Sequence, residues 1–314
     1  MIESVTQLIN KYEKITILTH LNPDADTIGT ALGVYGIVKN MGKQVEIANR
    51  GKNLPRQLDF LPFFSKIKSQ IDYSDSLIIS CDTGSIDRLG FDITGREILN
   101  IDHHKSNTNF GVINIIDSNA VSASQVAYLL FKNNYKITKE IATCFYTALV
   151  SDTQYFSTNN MSREIFDIAS ELIELGVNIQ EVMSNIKQRK SLASIRILAL
   201  SLNSLLLEED GSLAIMFATK ENMLKAGSDI IDTIGIIDYA ISLVTAQIAI
   251  FIIELDNSIR VSLRSKKTDV SELALLFGGG GHKNAAGFEM KNMEIEVLLE
   301  MIREEIKNRG ILDA

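Results

Sequence analysis

Apolar positions in the first half of the chain fall into short runs separated by helical periodicities. Residues 14–19 form a β-rich run that ends at His20 and the Asn22-Pro23 turn. Over about 26–40, Ala31, Leu32, Tyr35 and Val38 recur at helical spacing and predict one apolar face. Residues 45–48, 77–80 and 98–101 are again short and continuously apolar, the pattern of strands buried in a parallel sheet with helices covering both faces. Helices at about 121–133 and 138–150 complete an α/β unit with a doubly wound, mainly parallel sheet.

The second half has a different rhythm. A long helical stretch is expected over 179–207, its basic patch Lys187-Gln188-Arg189-Lys190 lying on the solvated face of a linker helix. Residues 212–219 and 247–264 read as strands, the latter turning at Asp256-Asn257-Ser258. The most apolar window, 230–253, is interrupted by Asp232 and Asp238. A membrane helix needs about 20 mostly apolar residues, so a buried helix leading into a strand is expected, and no membrane association. The predicted division is a domain over 1–188 and a linker helix with a smaller α/β domain over 189–314.

Composition narrows the function. A hydrophobic fraction of 46% with 22% charged residues is that of a globular protein. The net charge of −8 offers no basic footprint for long duplex DNA. A short anionic substrate stays compatible with it, especially where bound cations supply positive charge. Two cysteines are too few for a disulfide framework, and Met1-Ile2-Glu3-Ser4 does not begin a secretory signal, so a cytoplasmic location is expected.

Candidate chemistry gathers where strands end. His20-x-x-x-Asp24-x-Asp26 follows the first run, Asp82 follows 77–81, Asp102-His103-His104 closes the next, and Asp152 follows 147–151, read here as a fourth strand end. Ligand sites in open parallel sheets lie beyond the carboxyl ends of strands. An Asp in such a place is often only a helix cap, and Asp26 at the start of its helix invites that reading. The grouping argues otherwise, because three of the four histidines fall in these clusters. Carboxylates so crowded would repel one another and be driven to protonate unless cations neutralise them. Oxygen and imidazole donors suit Mn²⁺, and also Mg²⁺, Co²⁺ or Zn²⁺, while the lack of thiolates argues against a structural zinc site. Two ions about 3.5–4 Å apart can clamp a phosphoester and lower the pKa of a shared water from about 15.7 to ~7.

The fourth histidine sits in Phe277-Gly278-Gly279-Gly280-Gly281-His282-Lys283-Asn284-Ala285-Ala286-Gly287. Four successive glycines cannot be a helix or strand core, and they let backbone amides approach an anion closely. No Gly-Lys-Ser/Thr follows, which excludes a Walker loop. Arg264, at the end of a predicted strand, could fork onto a phosphate.

His20-Leu21-Asn22-Pro23-Asp24-Ala25-Asp26 resembles the first motif of the DHH phosphoesterase superfamily, and Asp102-His103-His104 resembles the motif that names it. The segment 277–287 resembles the glycine-rich signature of the associated DHHA1 domain. The motifs span residues 20 to 287. The resemblance implies two divalent cations, Mn²⁺ foremost, one held by His20, Asp24 and Asp82 and the other by Asp26, Asp82, His103 and Asp152. It implies further that His104 faces the substrate phosphate, that Asp102 supports the histidines, and that Asp82 bridges the ions. Arg264, Gly280, Gly281 and His282 would hold the far end of the substrate, with the active site in a cleft between the domains. Size and layout are similar to the compact NrnA-type nanoRNases, which implies hydrolysis of short RNA oligonucleotides to mononucleotides and of pAp to AMP. Linear or cyclic dinucleotides (pApA, pGpG, c-di-AMP) and a non-catalytic nucleotide sensor stay as alternatives, and a homodimer stays open.

Overall fold

The computed structural model describes residues 2–51 and 54–310, and the chain divides into two compact units at Arg189/Lys190. The first unit runs α1 (Ile2–Lys11), β1 (Lys14–Leu18), α2 (Ala25–Asn40), β2 (Gln44–Ala48), β3 (Ile67–Lys68), β4 (Leu77–Cys81), β5 (Ile98–Asp102), β6 (Ile113–Ile116), α3 (Ala123–Phe131), α4 (Lys139–Asp152), α5 (Arg163–Glu174) and α6 (Ile179–Gln188). Its six strands lie in the order β3-β2-β1-β4-β5-β6, all parallel.

Alternation along the strands sorts two layers. Ile15, Ile17, Leu77, Ile79, Cys81, Leu99 and Ile101 join the main core with the α-helices. Leu18, Ala48, Ile78 and Ile98 face the other way, against Leu89 and Ile93. That second face is covered by the 3₁₀ turn Ile86–Leu89 and flanking loops instead of the expected helices. The β4–β5 connection spends its first residues on Asp82-Thr83-Gly84 and is broken at Gly90 and Gly95, both with positive φ, so no apolar helical repeat fits.

The layer that positions the site is α2 on α4. A Cβ on Gly29 would lie 2.6 Å from the Cys144 carbonyl oxygen and 2.8 Å from Ala148 Cβ. The helices therefore touch backbone to side chain, and α2 cannot carry a larger residue there. Gly29→Val is expected to cost on the order of 3 kcal/mol by overpacking, more than the ~1 kcal/mol of helix propensity that glycine forfeits. At roughly 2–4 °C per kcal/mol, thermal denaturation should show a Tm lower by about 6–12 °C; an unchanged Tm would mean the two helices separate freely.

The second unit runs α7 (Leu192–Asn203), β7 (Leu206–Glu208), β8 (Leu213–Ala218), α8 (Lys220–Ala226), α9 (Ile237–Ile241), β9 (Ile248–Glu254), β10 (Ser258–Ser265), α10 (Val270–Leu276), β11 (Gly280–His282), β12 (Ala285–Lys291) and α11 (Ile295–Asn308). Its sheet order is β11-β12-β10-β9-β8-β7, antiparallel except for β8 beside β9. One apolar layer joins Ile250, Val261 and Leu263 to α10 and α11. The other joins Met216, Phe251 and Ile253 to α7, α8 and α9.

One expectation needs correction and two hold. The stretch 179–207 is two helices and a strand, because Ser191 caps α7 by accepting from Ser194 N–H at 2.8 Å. The basic patch is exposed as expected, and it makes surface contacts. Arg189 pairs bidentately with Asp59 at 2.6 and 3.1 Å, and Lys187 Nζ lies 3.8 Å from the Tyr155 ring centroid. The window 230–253 is, as expected, helix leading into strand: a 3₁₀ turn (Ile230–Thr233), the short α9 with Ile237 and Ala240 buried, then β9. No described helix is long and apolar enough to cross a membrane.

Candidate active site

The direction of strand addition reverses between β1 and β4, which lie side by side in the sheet. At such a switch point the loops beyond the carboxyl ends part and leave a crevice. His20 lies just past β1, Asp82 just past β4, and Asp102 ends β5 with His103 and His104 beyond it. Asp24 is the N-cap of α2, its Oδ1 accepting from Thr27 N–H at 3.0 Å. The cap is therefore Asp24, and Asp26 sits in the first helical turn with its carboxylate free to reach elsewhere. Asp152 arrives as the last residue of α4, so it is a helix end and not a fourth strand end.

These side chains meet around Asp82, which is buried and held at φ +54°. His20 Nε2 lies 3.7 Å from its Oδ2, while His103 Nε2 and His104 Nδ1 lie 3.5 and 3.6 Å from its Oδ1. His103 Nε2 is also 3.7 Å from both Asp26 and Asp152. Such distances exceed a hydrogen bond. They are close to the ~3.0–3.4 Å that separates donors each about 2.1 Å from one ion. Three groups have donor atoms within 4.8 Å of one another: His20 with Asp24 and Asp82; Asp26 with His103 and Asp152; and Asp82 with His103 and His104. His20 Nδ1 and Asp82 Oδ1 are buried without a hydrogen-bond partner. A buried carboxylate oxygen left so, facing two imidazoles, fits a cation as its missing partner.

The residues singled out for the far end of the substrate lie together in the second unit. Gly280–His282 forms the edge strand β11, so pairing with β12 overrides the glycine run's poor strand propensity. Ala285 faces both Arg264 and His282 across the strands, which places those two side chains in one row on the same face of the sheet. A Cβ on Gly281 would lie 2.5 Å from the Ala285 carbonyl oxygen, and its φ of +147° also favours glycine. A Cβ on Gly280 would meet nothing within 4 Å. Arg264 Nε donates to Asp238 at 3.2 Å.

Comparison with known proteins shows the family. The DHH family, N-terminal domain, matches residues 14–149, and the DHHA1 domain matches residues 232–308. A protein of Thermus thermophilus named bifunctional oligoribonuclease and PAP phosphatase NrnA is 31% identical over 313 residues, covering 95% of this chain and 92% of its own. The chain belongs to the DHH family. A Bacillus subtilis protein of the same name is 26% identical, covering 89% of this chain and 90% of its own. Among solved structures, an exopolyphosphatase-related protein from Bacteroides fragilis superposes with a TM-score of 0.89 at 27% identity, covering 98% and 96% of the two chains.

The DHH centre also relies on residues that motif reading passed over. Thr27 Oγ1 lies 2.7 Å from His20 Nε2, 2.6 Å from Asp82 and 3.0 Å from Asp24, so one hydroxyl ties three of the converging groups. Its signal was position: three residues after the cap, one turn into α2. Asp26 accepts from the backbone N–H groups of Ala123 and Ser124 at 2.7 and 3.2 Å, and so sits at the N-terminus of α3. Asn49 Nδ2 donates to the His20 carbonyl at 2.7 Å. His103 Nδ1 lies 3.3 Å from the Ala120 carbonyl oxygen, which turns Nε2 to the carboxylates. After Asp152 the backbone holds Gln154, Tyr155 and Phe156 at φ +47°, +63° and +62°. Three successive left-handed residues without a glycine are strained, and they adjoin the DHH centre.

The charge balance of the DHH centre calls for cations. Burial, then repulsion from Asp82, pushes Asp26 up to about 7 from an ordinary 3.8. Burial and the Asp26 charge raise Asp152 well above the usual range. Burial works against a charged His103, yet Asp82 and Asp26 push it up to about 11 from 6.5. Burial also opposes ionisation of Asp82, but the imidazoles of His103 and His20 hold it low. Asp26 and His103 thus keep protons in the folded state that the unfolded chain has released. Their stabilising contribution is complete at low pH. It drains as pH rises from about 4 to 7 for Asp26 and from about 6.5 to 11 for His103. Cations would replace those protons. The rise in Tm on adding Mn²⁺ should therefore be larger at pH 8 than at pH 6, and calorimetric titration in buffers of different ionisation enthalpy should show proton release. Equal rises and no released proton would contradict this account.

Proposed function

We propose that the chain is a metal-dependent phosphoesterase that uses two divalent cations, Mn²⁺ foremost, to hydrolyse short oligoribonucleotides to mononucleotides and pAp to AMP. The observation that carries this reading is Asp82, with one oxygen towards His20 and the other towards His103 and His104. One cation belongs with His20, Asp24 and Asp82, the other with Asp26, Asp82, His103 and Asp152. Cations there would polarise a phosphoester oxygen and lower the pKa of a coordinated water. The chain's own groups do the rest. Thr27 and the N-terminus of α3 hold the carboxylates in place, and Asp102 takes His104 Nδ1, which leaves Nε2 to meet the substrate phosphate.

We assign the substrate's far end to Arg264, Gly280, Gly281 and His282, whose placement either side of β12 supports that role. A substrate of a few nucleotides suits an acidic chain whose positive charge would be local and borrowed. The activities in the names of the Thermus and Bacillus relatives, oligoribonuclease and PAP phosphatase, support the substrate class. A cytoplasmic location fits two free, buried cysteines.

The test measures phosphate release from pAp and mononucleotide release from RNAs of two to five nucleotides, with Mn²⁺ and with EDTA. Turnover dependent on Mn²⁺ is expected for both substrates. If Mn²⁺ raises Tm but none of them is cleaved, the assignment fails and linear or cyclic dinucleotides come next; binding of pAp without any cleavage would indicate a sensor. Arg264→Ala should raise KM for dinucleotides about tenfold, the loss of one charge-assisted hydrogen bond of ~1.5 kcal/mol, and leave a small nitrophenyl phosphodiester unaffected. Equal effects on both substrates would remove Arg264 from substrate binding.

A further inference from the structure

Asp102, fully buried at the end of β5, has both carboxylate oxygens engaged. Oδ1 lies 2.7 Å from His104 Nδ1, and Oδ2 accepts from Asn107 Nδ2 at 2.6 Å. The Asn107 amide is itself locked. Its Nδ2 also donates to the Thr83 carbonyl at 3.2 Å, and its Oδ1 accepts from Asn109 N–H at 2.7 Å and from Asn100 Nδ2 at 3.3 Å. A backbone N–H at one end can only donate, and a carbonyl and a carboxylate at the other can only accept, so the amide has one orientation. Asn100 is anchored in turn by Ser80 Oγ at 2.9 Å. A chain of polar contacts thus runs from the β4–β5 pair through Asn107 to the His104 ring.

We propose that Asn107 is a positioning residue: by holding Asp102 Oδ2 it turns Oδ1 onto His104 Nδ1 and fixes Nε2 as the ring nitrogen offered to the substrate. Held at one oxygen only, the carboxylate can swing about its own bond and the imidazole loses its reference. Asn107 reaches the His104 ring through Asp102. The inference rests on the assignment of His104 to the substrate phosphate. The rival role, pinning the loop after β5, belongs to Asn107 Oδ1. Asn107→Asp, assayed at pH 8 and above, separates the two roles: it keeps an acceptor of the same size for Asn109 N–H, and the carboxylate oxygen that replaces Nδ2 repels Asp102 Oδ2 instead of holding it.

Asn107→Asp and Asn107→Ala, loaded with Mn²⁺, should lose about 10–100-fold in kcat with KM and the Mn²⁺-induced rise in Tm unchanged. In nitrogen-edited NMR of the metal-free protein, the downfield, exchange-protected Nδ1 proton of His104 should be present in the unaltered chain and absent from both variants. Should Asn107→Ala fail to fold, Asn107→Asp decides alone. A retained proton signal, or a retained kcat, overturns the inference, as does a loss confined to KM or to metal-induced stabilisation. Full turnover in His104→Gln would instead sink the assignment of His104, which separates the two failures.

Discussion

Asp82→Asn should lose at least about 10³-fold in turnover while the protein stays folded. Both halves of that expectation follow from the position of Asp82. Its φ of +54° is one that few residues tolerate, and asparagine is among them, so this change keeps the backbone at ease. Alanine in the left-handed region adds roughly 1–2 kcal/mol of strain and would confuse the two effects. The carboxylate is the one group that faces His20 on one side and His103 and His104 on the other. Removing its charge takes a donor from both proposed cation positions at once, and metal assistance is worth several kcal/mol, or three powers of ten and more in rate. The variant should also lose the Mn²⁺-induced rise in Tm. Turnover within tenfold of the unaltered protein, or an intact rise in Tm, would remove Asp82 from the centre.

The converging set could be seen in the sequence because three of its four clusters begin just past an apolar strand, and parallel sheets gather such ends. Asp152 was placed correctly in the chain but on the wrong element. The helix expected over 138–150 is α4, which runs on to Asp152; residues 144–150 are all buried, so periodicity does not separate the end of that helix from the strand also read over 147–151. The break at Arg189 was hidden for the opposite reason, since apolar positions continue in helical rhythm on both sides and only Ser191, as a cap, marks the start of α7. The glycine strand was missed because pairing with β12 outweighs local propensity. Thr27 and Asn107 carry ordinary residue types in ordinary places. What distinguishes them is the partner each meets across the fold, and a sequence does not print distances.

His103 and His104 offer the sharpest contrast, because adjacent residues should fail in opposite ways. Their rings cross edge to face, 4.8 Å apart at 66°. His103 has Nδ1 towards the Ala120 carbonyl and Nε2 among Asp26, Asp82 and Asp152. His104 has Nδ1 on Asp102, bound at 2.7 Å, and a more exposed side chain. His103→Gln should therefore lose the Mn²⁺-induced rise in Tm together with turnover. His104→Gln should keep that rise and lose about 10²–10⁴-fold in kcat, the worth of one positioned proton-transfer group. The geometry leaves room for a different outcome, since Asp82, His103 and His104 also form a metal-sized group. If His104→Gln abolishes metal-induced stabilisation as fully as His103→Gln, His104 is a ligand, and the group that meets the phosphate must be sought elsewhere. If the two variants separate, the peptide bond between them marks the border between holding the metal and handling the substrate.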